Sequence, residues 1–311
     1  MKHSPFLFAA ILSIYLTPVQ SSNGDIQEFN DYINTSISKA NIAGMCIAIV
    51  SGDSILFAQG YGYSDIQTKE PFTPETVMNI ASISKTFVGV ALMHLVEKGL
   101  IDLDDDVNTF LPFKVLNPHL PESIITPRHL MSHSSGIKDD QKVYLPSYHY
   151  GGDSPIPLGE FIEDYLSSDG THYSKKNFTK SKPGKKFVYS NIGAGLAGYI
   201  VERVSGKALN VFTREIIFKP LGMNNTCWLL SEMDREKHSR LYESKKNNTL
   251  LDNIDLYGLT TYPDGGVRTT VTDLSYYLLC IMNKGLYKGT RILKEETVSE
   301  MLTPDYIDSY T

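Results

Sequence analysis

The sequence predicts an α+β fold, with strands in a hairpin near the N-terminus, helices in separate stretches, and a loop-rich helical region inserted between β elements. Three observations lead there. Two apolar, β-prone runs, Ile42 to Val50 and Ser54 to Gly60, are parted by a Gly52-Asp53 turn. A long helical pattern then runs from Pro74 to Gly99. After it, Pro112, Pro118, Pro121, Pro146, Pro155 and Pro157 cut the chain into short pieces.

Taken in order, Ile26, Phe29, Tyr32, Ile33 and Ile37 recur at helical spacing, so Ile26 to Lys39 reads as an amphipathic first helix. The hairpin follows, its two-residue turn set by Gly52-Asp53. In the Pro74 to Gly99 helix, Phe87, Val88, Ala91, Leu92, Leu95 and Val96 supply the buried face, and Gly99 is placed to end it. Ile101 to Pro183 holds short helical patches and an Asp-rich stretch at Asp102 to Asp106. Asn191 to Val204 is strongly helical and starts with small residues, Gly193, Ala194, Gly195, Ala197 and Gly198, that permit close approach of neighbours. Leu274 to Asn283 is introduced by Thr270-Val271-Thr272-Asp273, a capping-box spacing with Asp273 in the reciprocal position. A last helical patch spans Glu295 to Leu302.

The 311 residues are 41% hydrophobic and 21% charged, enough apolar content for a substantial core, which excludes a disordered, collagen-like or multispanning membrane chain. Lys and Arg number 29 against 35 Asp and Glu, a formal charge of −6, so no global positive field exists to hold a nucleic acid and none is expected as a partner. Met1-Lys2-His3, the apolar run Pro5 to Leu16, and then Pro18, Ser21 and Ser22 have the layout of a signal peptide over residues 1–21, with Val19 and Ser21 as the small residues before the cut. The apolar run is shorter than the roughly 20 residues that span a bilayer, so no stable membrane span is expected after cleavage. The expectation is a secreted chain, or one in the secretory lumen, and N-x-S/T sequons at Asn34, Asn177, Asn224 and Asn247 agree with that route. Cys46, Cys227 and Cys280 allow at most one disulfide, and the apolar settings of Cys46 and Cys280 suit buried, inert thiols.

The strongest chemical signal is Ser82-Ile83-Ser84-Lys85. Residues three apart lie on one face of a helix, so Lys85 Nζ can reach Ser82 Oγ. A serine hydroxyl is a weak nucleophile until a partner takes its proton, and a lysine partly desolvated beneath a helix start can serve. The string is not unique, because Ser36-Ile37-Ser38-Lys39 repeats it. That copy includes the hydroxyl residue of the Asn34 sequon on an outer, solvated helix, whereas the second copy precedes a long buried helix. Tyr189-Ser190-Asn191 is the other element. A tyrosine hydroxyl beside a lysine can relay a proton, and an asparagine amide can position a substrate carbonyl or amide. Read without chemistry, the same triplet is a tyrosine packed at a loop-to-helix junction with Asn191 as the N-cap.

These elements belong to an ordered set that runs from Ile42 to about Pro304. It includes Gly60-Tyr61-Gly62, Thr73-Pro74-Glu75-Thr76, the stretch Ile80 to Phe87, Leu95 to Asp105, Ile125 to Gly136, Pro183 to Asn191, Pro220-Leu221-Gly222-Met223, and Pro263-Asp264-Gly265-Gly266-Val267. The set resembles the serine β-lactamase-like superfamily, in its class C β-lactamase, penicillin-binding protein and esterase branch. The resemblance implies one β-lactamase-related domain over residues 22–311, an antiparallel sheet flanked by helices, a helical subdomain at about 68–183, and no cofactor. It also implies acyl transfer on a small-molecule or peptide substrate. Ser82 would attack an ester, lactam or amide carbonyl, D-residue peptides included. Lys85 and Tyr189 would share the base and acid roles, and Asn191 would position the substrate. The main-chain N–H of Ser82 and a second N–H on an edge strand would hold the oxyanion.

Members of that superfamily carry a third motif, Lys-Ser/Thr-Gly or His-x-Gly, on a C-terminal strand. None follows Tyr189 here: the last histidine is His238, and Lys288-Gly289-Thr290 has the wrong order. The resemblance therefore implies a domain truncated at its C-terminal side, with an incomplete sheet. Beside the enzyme stands the alternative of a non-catalytic secreted binding protein, or an inactive fragment. Lys175, Lys176, Lys180, Lys182, Lys185 and Lys186 crowd the approach to Tyr189, either as a rim that attracts an anionic substrate or as a solvated loop. His94 falls within a helix and His133 in a Ser-Gly turn, neither with a carboxylate partner visible in sequence. No H-E-x-x-H or Cys/His ligand spacing occurs, so no metal is expected.

Overall fold

A computed structural model describes residues 23–244 and 251–303. The signal segment 1–21 and the Asn247 sequon lie outside the described residues. Helix α1 (Asn23–Ala40) leads into strands β1 (Gly44–Ser51) and β2 (Ser54–Asp65), whose turn holds Gly52 at φ +60°. The strands pair antiparallel, with Cys46 opposite Gly60, and a register shift after Ile49 sets Val50 opposite Ile55. Val50 and Ile55 pack on the core. On Phe57 and Tyr61, α1 is fastened by an edge-to-face Phe29–Phe57 contact at 5.9 Å and by Tyr61 OH donating to Asn30 Oδ1 at 2.6 Å. The short β3 (Glu70–Pro71) joins β2, so the sheet has the order β1-β2-β3 and, among the described residues, the outer edge of β1 pairs with no strand.

The helix expected from Pro74 starts later than the pattern suggests. Thr73 to Thr76 close a turn, with Thr76 N–H on Thr73 O at 3.0 Å. The main chain of β4 (Met78–Asn79) is then taken by β9 (Arg268–Thr269), and a 3-10 turn at Ala81–Ile83 precedes α2 (Ser84–Glu97). Residues whose N–H and C=O groups are spent on a ladder cannot also make helical bonds. At the other end Gly99 adopts φ +68°, the left-handed conformation that ends the helix.

Helices α3 (Pro127–Met131) and α4 (Gln141–Tyr144), strand β5 (Tyr148–Tyr150) and helix α5 (Leu158–Leu166) follow. Next come α6 (Asn191–Ser205), α7 (Leu209–Thr213) and α8 (Lys219–Leu221). Strand β6 (Leu241–Ser244) pairs with β7 (Leu251–Ile254), and β8 (Tyr257–Leu259) pairs with β5. After β9 the chain forms α9 (Val271–Met282), the hairpin β10 (Leu286–Tyr287) and β11 (Thr290–Arg291), and α10 (Glu295–Leu302). Thr270 caps α9 by accepting from Asp273 N–H at 3.1 Å. The reciprocal half of the expected capping box is diverted, since Asp273 Oδ2 accepts from Asn225 N–H at 2.7 Å and from Thr226 Oγ1 at 2.9 Å.

At the centre α2 packs against α6, burying Phe87, Val88, Leu92 and Leu95 against Ile192, Leu196, Ile200 and Val201. Each such side chain contributes about 1.5–3 kcal/mol when fully buried. The small residues of α6 let a third element close on the pair. A Cβ at Gly198 would stand 2.5 Å from Pro263 Cγ, so glycine there allows the Tyr262–Asp264 turn to settle on α6. Helices thus flank antiparallel strands as expected, and the sheets are small and not closed. Met93 of α2 and Leu274, Tyr277, Leu278 and Ile281 of α9 front an open groove of about 930 Å³.

All three cysteines are free thiols. Burial pushes Cys227 up to about 12 and Cys280 up to about 11. Cys46 departs from the expected full burial: its run is only partly covered, and its Sγ donates to Thr73 O at 3.0 Å. Among the described residues no helix is long and apolar enough to cross a membrane, and no group of His, Cys, Asp and Glu could hold a metal ion.

Candidate active site

Ser82 lies in the 3-10 turn ahead of α2, exposed, directly after Ala81 at φ +46°. A non-glycine residue in the left-handed region costs about 1–2 kcal/mol, so the surroundings must hold this bend in place. They do so through the 265–267 segment: Ile80 N–H donates to Val267 O at 3.1 Å, and Val267 N–H donates to the fully buried Ser84 Oγ at 3.0 Å.

Lys85, the second residue of α2 and one turn after Ser82, is only 8% exposed. Its Nζ donates to Ser82 Oγ at 3.1 Å, to Asn191 Oδ1 at 2.8 Å and to the main-chain O of Asp264 at 2.6 Å. Tyr189 OH donates to the same Ser82 Oγ at 2.6 Å, and Lys85 Nζ stands 4.9 Å from the Tyr189 ring centroid. Ser82, Lys85, Tyr189 and Asn191 therefore share one site, although Tyr189 and Asn191 come from a loop and helix more than a hundred residues further along the chain, with separations of 107 and 106.

Asn191 is not the N-cap of α6. Ser190 caps the helix by accepting from Gly193 N–H at 2.8 Å, which leaves the Asn191 amide free to turn onto Lys85. Below them Asp139 binds the start of α6: Oδ1 accepts from Ser190 Oγ at 2.8 Å and Ile192 N–H at 3.2 Å, and Oδ2 from Asn191 N–H at 2.8 Å. A carboxylate suits that place because the first N–H groups of a helix have no partners within it and carry partial positive charge. His133 forms a wall behind Tyr189, with ring centroids 4.4 Å apart, and its Nδ1 accepts from Ser190 N–H at 3.3 Å. Burial first, and then the nearby Lys85 charge, push this imidazole down to about 4, so it is neutral and free to accept. His94, by contrast, stays in the core edge-on to Phe212 at 5.9 Å.

Asp139, His133 and Asp264 were not singled out as site residues from sequence. Nothing local marks Asp139. Asp264 stands in the Pro263 to Val267 motif with no role attached to it, and His133 lacks the carboxylate partner sought for a catalytic histidine; its part is to pack on Tyr189. All six lysines before Tyr189 are exposed. No strand bearing Lys-Ser/Thr-Gly or His-x-Gly lines the site among the described residues.

The arrangement suits activation of a serine hydroxyl. A neutral amine at Lys85 would give its two N–H groups to Asn191 Oδ1 and Asp264 O, leaving its lone pair aimed at Ser82 Oγ. The same constellation sits within a recognisable frame. Protein flp of Staphylococcus aureus (strain MRSA252) is 26% identical over 265 residues, which is 84% of this chain and 50% of that protein. The chain thus spans about half the length of that curated relative. Among solved structures, the octameric penicillin-binding protein homologue from Pyrococcus abyssi is 29% identical with a TM-score of 0.71, over 90% of this chain and 60% of that one. D-amino acid amidase from Ochrobactrum anthropi SV3 shares the fold at a TM-score of 0.68 and 24% identity, over 89% of this chain and 74% of that one. The Beta-lactamase family model matches residues 26–310, a span that takes in Ser82, Lys85, Tyr189 and Asn191 together, and the chain belongs to that family.

Proposed function

We propose that the chain is a serine hydrolase that works through an acyl-enzyme. The observation that carries this reading is the convergence of Lys85 Nζ and Tyr189 OH on one serine oxygen, at 3.1 Å and 2.6 Å. In acylation Ser82 Oγ bonds to the carbonyl carbon of an ester, lactam or amide while its proton passes to Lys85 Nζ. The oxyanion forms against the main-chain N–H of Ser82. Collapse breaks the bond to the leaving oxygen or nitrogen, which takes a proton from Tyr189, and Lys85 returns one to Tyr189. Water then attacks the acyl carbon, gives its proton to the same pair, and Ser82 Oγ departs reprotonated. Positioned proton transfer of this kind contributes about 10²–10⁴ in rate.

The names of two neighbours, a penicillin-binding protein homologue and a D-amino acid amidase, support β-lactams and D-residue amides as the first substrates to try. One observation favours a second reading. Among the described residues no Lys-Ser/Thr-Gly or His-x-Gly strand offers a second oxyanion donor, and removal of one donor costs about 10²–10³ in rate, so the second reading is a cleft that binds such a ligand without turnover. A fluorophosphonate and a fluorescent penicillin, applied to the purified chain and to Ser82→Ala, separate the two. Covalent label on Ser82, absent from Ser82→Ala, supports the hydrolase; saturable binding with no covalent label supports the binding protein.

We also propose that residues 1–21 direct the chain into a secretory route. Asn34 and Asn224 are exposed and accessible to a glycan. Asn177 is not: it is 1% exposed, and its amide donates to Tyr165 O at 3.1 Å and His172 O at 3.0 Å. Peptide mapping of the secreted protein is expected to find glycan on Asn34 or Asn224 and none on Asn177; a glycan on Asn177 in folded protein would contradict this.

A further inference from the structure

Asp264 closes the Tyr262–Asp264 turn and is 2% exposed. Its main chain and its side chain face different tasks. The carbonyl oxygen receives Lys85 Nζ at 2.6 Å, while the carboxyl accepts from Tyr144 OH on Oδ1 at 3.1 Å and is also stabilised by the neighbouring Thr261 hydroxyl. The other carboxyl oxygen, Oδ2, is buried with no partner. A carboxyl cut off from water with only neutral hydroxyls as donors is poorly stabilised as an anion. Burial accordingly pushes Asp264 up to about 7, against the opposing pull of the Thr261 hydroxyl first, then of the Lys85 charge and the Tyr144 hydrogen bond.

We propose that Asp264 is a positioning residue for Lys85: its main chain aims Nζ at Ser82, and the charge on its carboxyl sets the pH range in which Lys85 takes the serine proton. The proposal rests on the serine-hydrolase reading above. The groups that face the carboxyl are Lys85 from α2, Tyr144 from α4, Tyr148 from β5, Tyr257 from β8, and Asp139 from the loop before α4. Burial holds the Tyr144, Tyr148 and Tyr257 hydroxyls above their usual range, so near neutrality they remain neutral, and Lys85 is the basic group among these neighbours. When Asp264 is protonated, Lys85 meets a neutral acid and gives up its proton more readily. When Asp264 ionises, an anion stabilises the ammonium and works against the base. The pattern places a brake beneath the base that engages as pH rises.

The test is the rate of fluorophosphonate labelling of Ser82 between about pH 5 and pH 10 in the wild-type chain, Asp264→Asn and Tyr144→Phe. Asp264→Asn keeps the shape, the main-chain carbonyl and an acceptor for Tyr144. Its rising limb is expected to move about half a unit to one unit towards lower pH. In Tyr144→Phe the carboxyl loses the Tyr144 donor and stays protonated to higher pH, so the limb moves the same way by less. A purely structural role would lower the rate at every pH and leave the limb where it is; superimposable limbs in the two variants would overturn the proposal. Should Asp264→Asn fail to fold, Tyr144→Phe decides on the same criterion. Equal labelling of Ser82→Ala would instead sink the serine-hydrolase reading itself, a result read on a different variant.

Discussion

The chain writes Ser-Ile-Ser-Lys twice and uses the two copies differently. Residues 36–39 lie inside the unbroken helix α1, where Lys39 is exposed. Residues 82–85 straddle the change from a 3-10 turn to α2, and Lys85 is buried beneath other elements. Both copies put a lysine three residues after a serine, so spacing alone does not make a nucleophile. The second copy differs in what crosses it: Asn191 from α6, the carbonyl of Asp264, and Tyr189 OH, all delivered by close packing of α2, α6 and the 262–264 turn. The cluster around Ser82 is therefore a tertiary property of a string whose local conformation only permits it.

The sharpest way to break this contrast is to remove one serine at a time. Ser82→Ala is expected to lose covalent labelling by at least about 10³-fold, while Ser36→Ala stays within about twofold of wild type. Equal losses in both variants would mean that the environment does not separate them. The lysines come next. Lys85→Met is expected to slow acylation by about 10²–10⁴-fold, as removal of a positioned base does, and Lys39→Met to leave it unchanged in the same stopped-time labelling assay. Tyr189→Phe belongs near the lower end of that range if Lys85 is the principal base, and a larger loss would move that role to the tyrosine.

What could be read from the sequence follows the same division. The hairpin was legible because a Gly-Asp turn separates two β-prone runs, and α6 because its period and small residues agree. The long helix was read too far towards Pro74, because the partner of Met78–Asn79 is Arg268–Thr269, distant in sequence and invisible to periodicity. In the site, Ser82 and Lys85 were legible as a local pair, and Tyr189 and Asn191 through the ordered set of motifs. Asp139 and Asp264 act at separations of 51 and 179 residues from the groups they hold, and only folding reveals such contacts. Asn191 as N-cap was the natural local reading; Ser190 took that role once Asp139 fixed its hydroxyl.

Asp264 extends the contrast to stability. Its pKa in the folded chain is raised from 3.8 to about 7, so between those values the folded state holds a proton that the unfolded state releases. Its contribution is complete below the lower value and is lost as pH rises through the upper one. Across that window wild-type stability is expected to fall relative to Asp264→Asn by an amount on the order of 4 kcal/mol, measured by urea unfolding at several pH values. A difference between the two proteins that does not change with pH would remove the raised titration, and with it the brake on Lys85.

The smallest expected effect tests the backbone itself. Ala81 precedes the reactive copy at φ +46°, whereas Thr35, at the same place before the first copy, lies within α1. Replacing Ala81 with glycine removes the clash between Cβ and the main chain, worth about 1–2 kcal/mol, but frees the unfolded chain by about 0.4–1 kcal/mol. The net is a stabilisation of about 0.5–1 kcal/mol, a rise in Tm of about 1–4 °C for a domain of this size. A glycine also widens the directions Ser82 can take, so labelling is expected to slow several-fold even as the protein becomes more stable. Raised Tm with unchanged labelling would show that Ser82 is aimed by its hydrogen bonds to Lys85 and Tyr189 alone. Lowered Tm would mean that surrounding contacts to the alanine methyl outweigh its strain. Only the expected pair, a gain in stability with a loss in rate, assigns the bend at Ala81 to the aiming of the nucleophile.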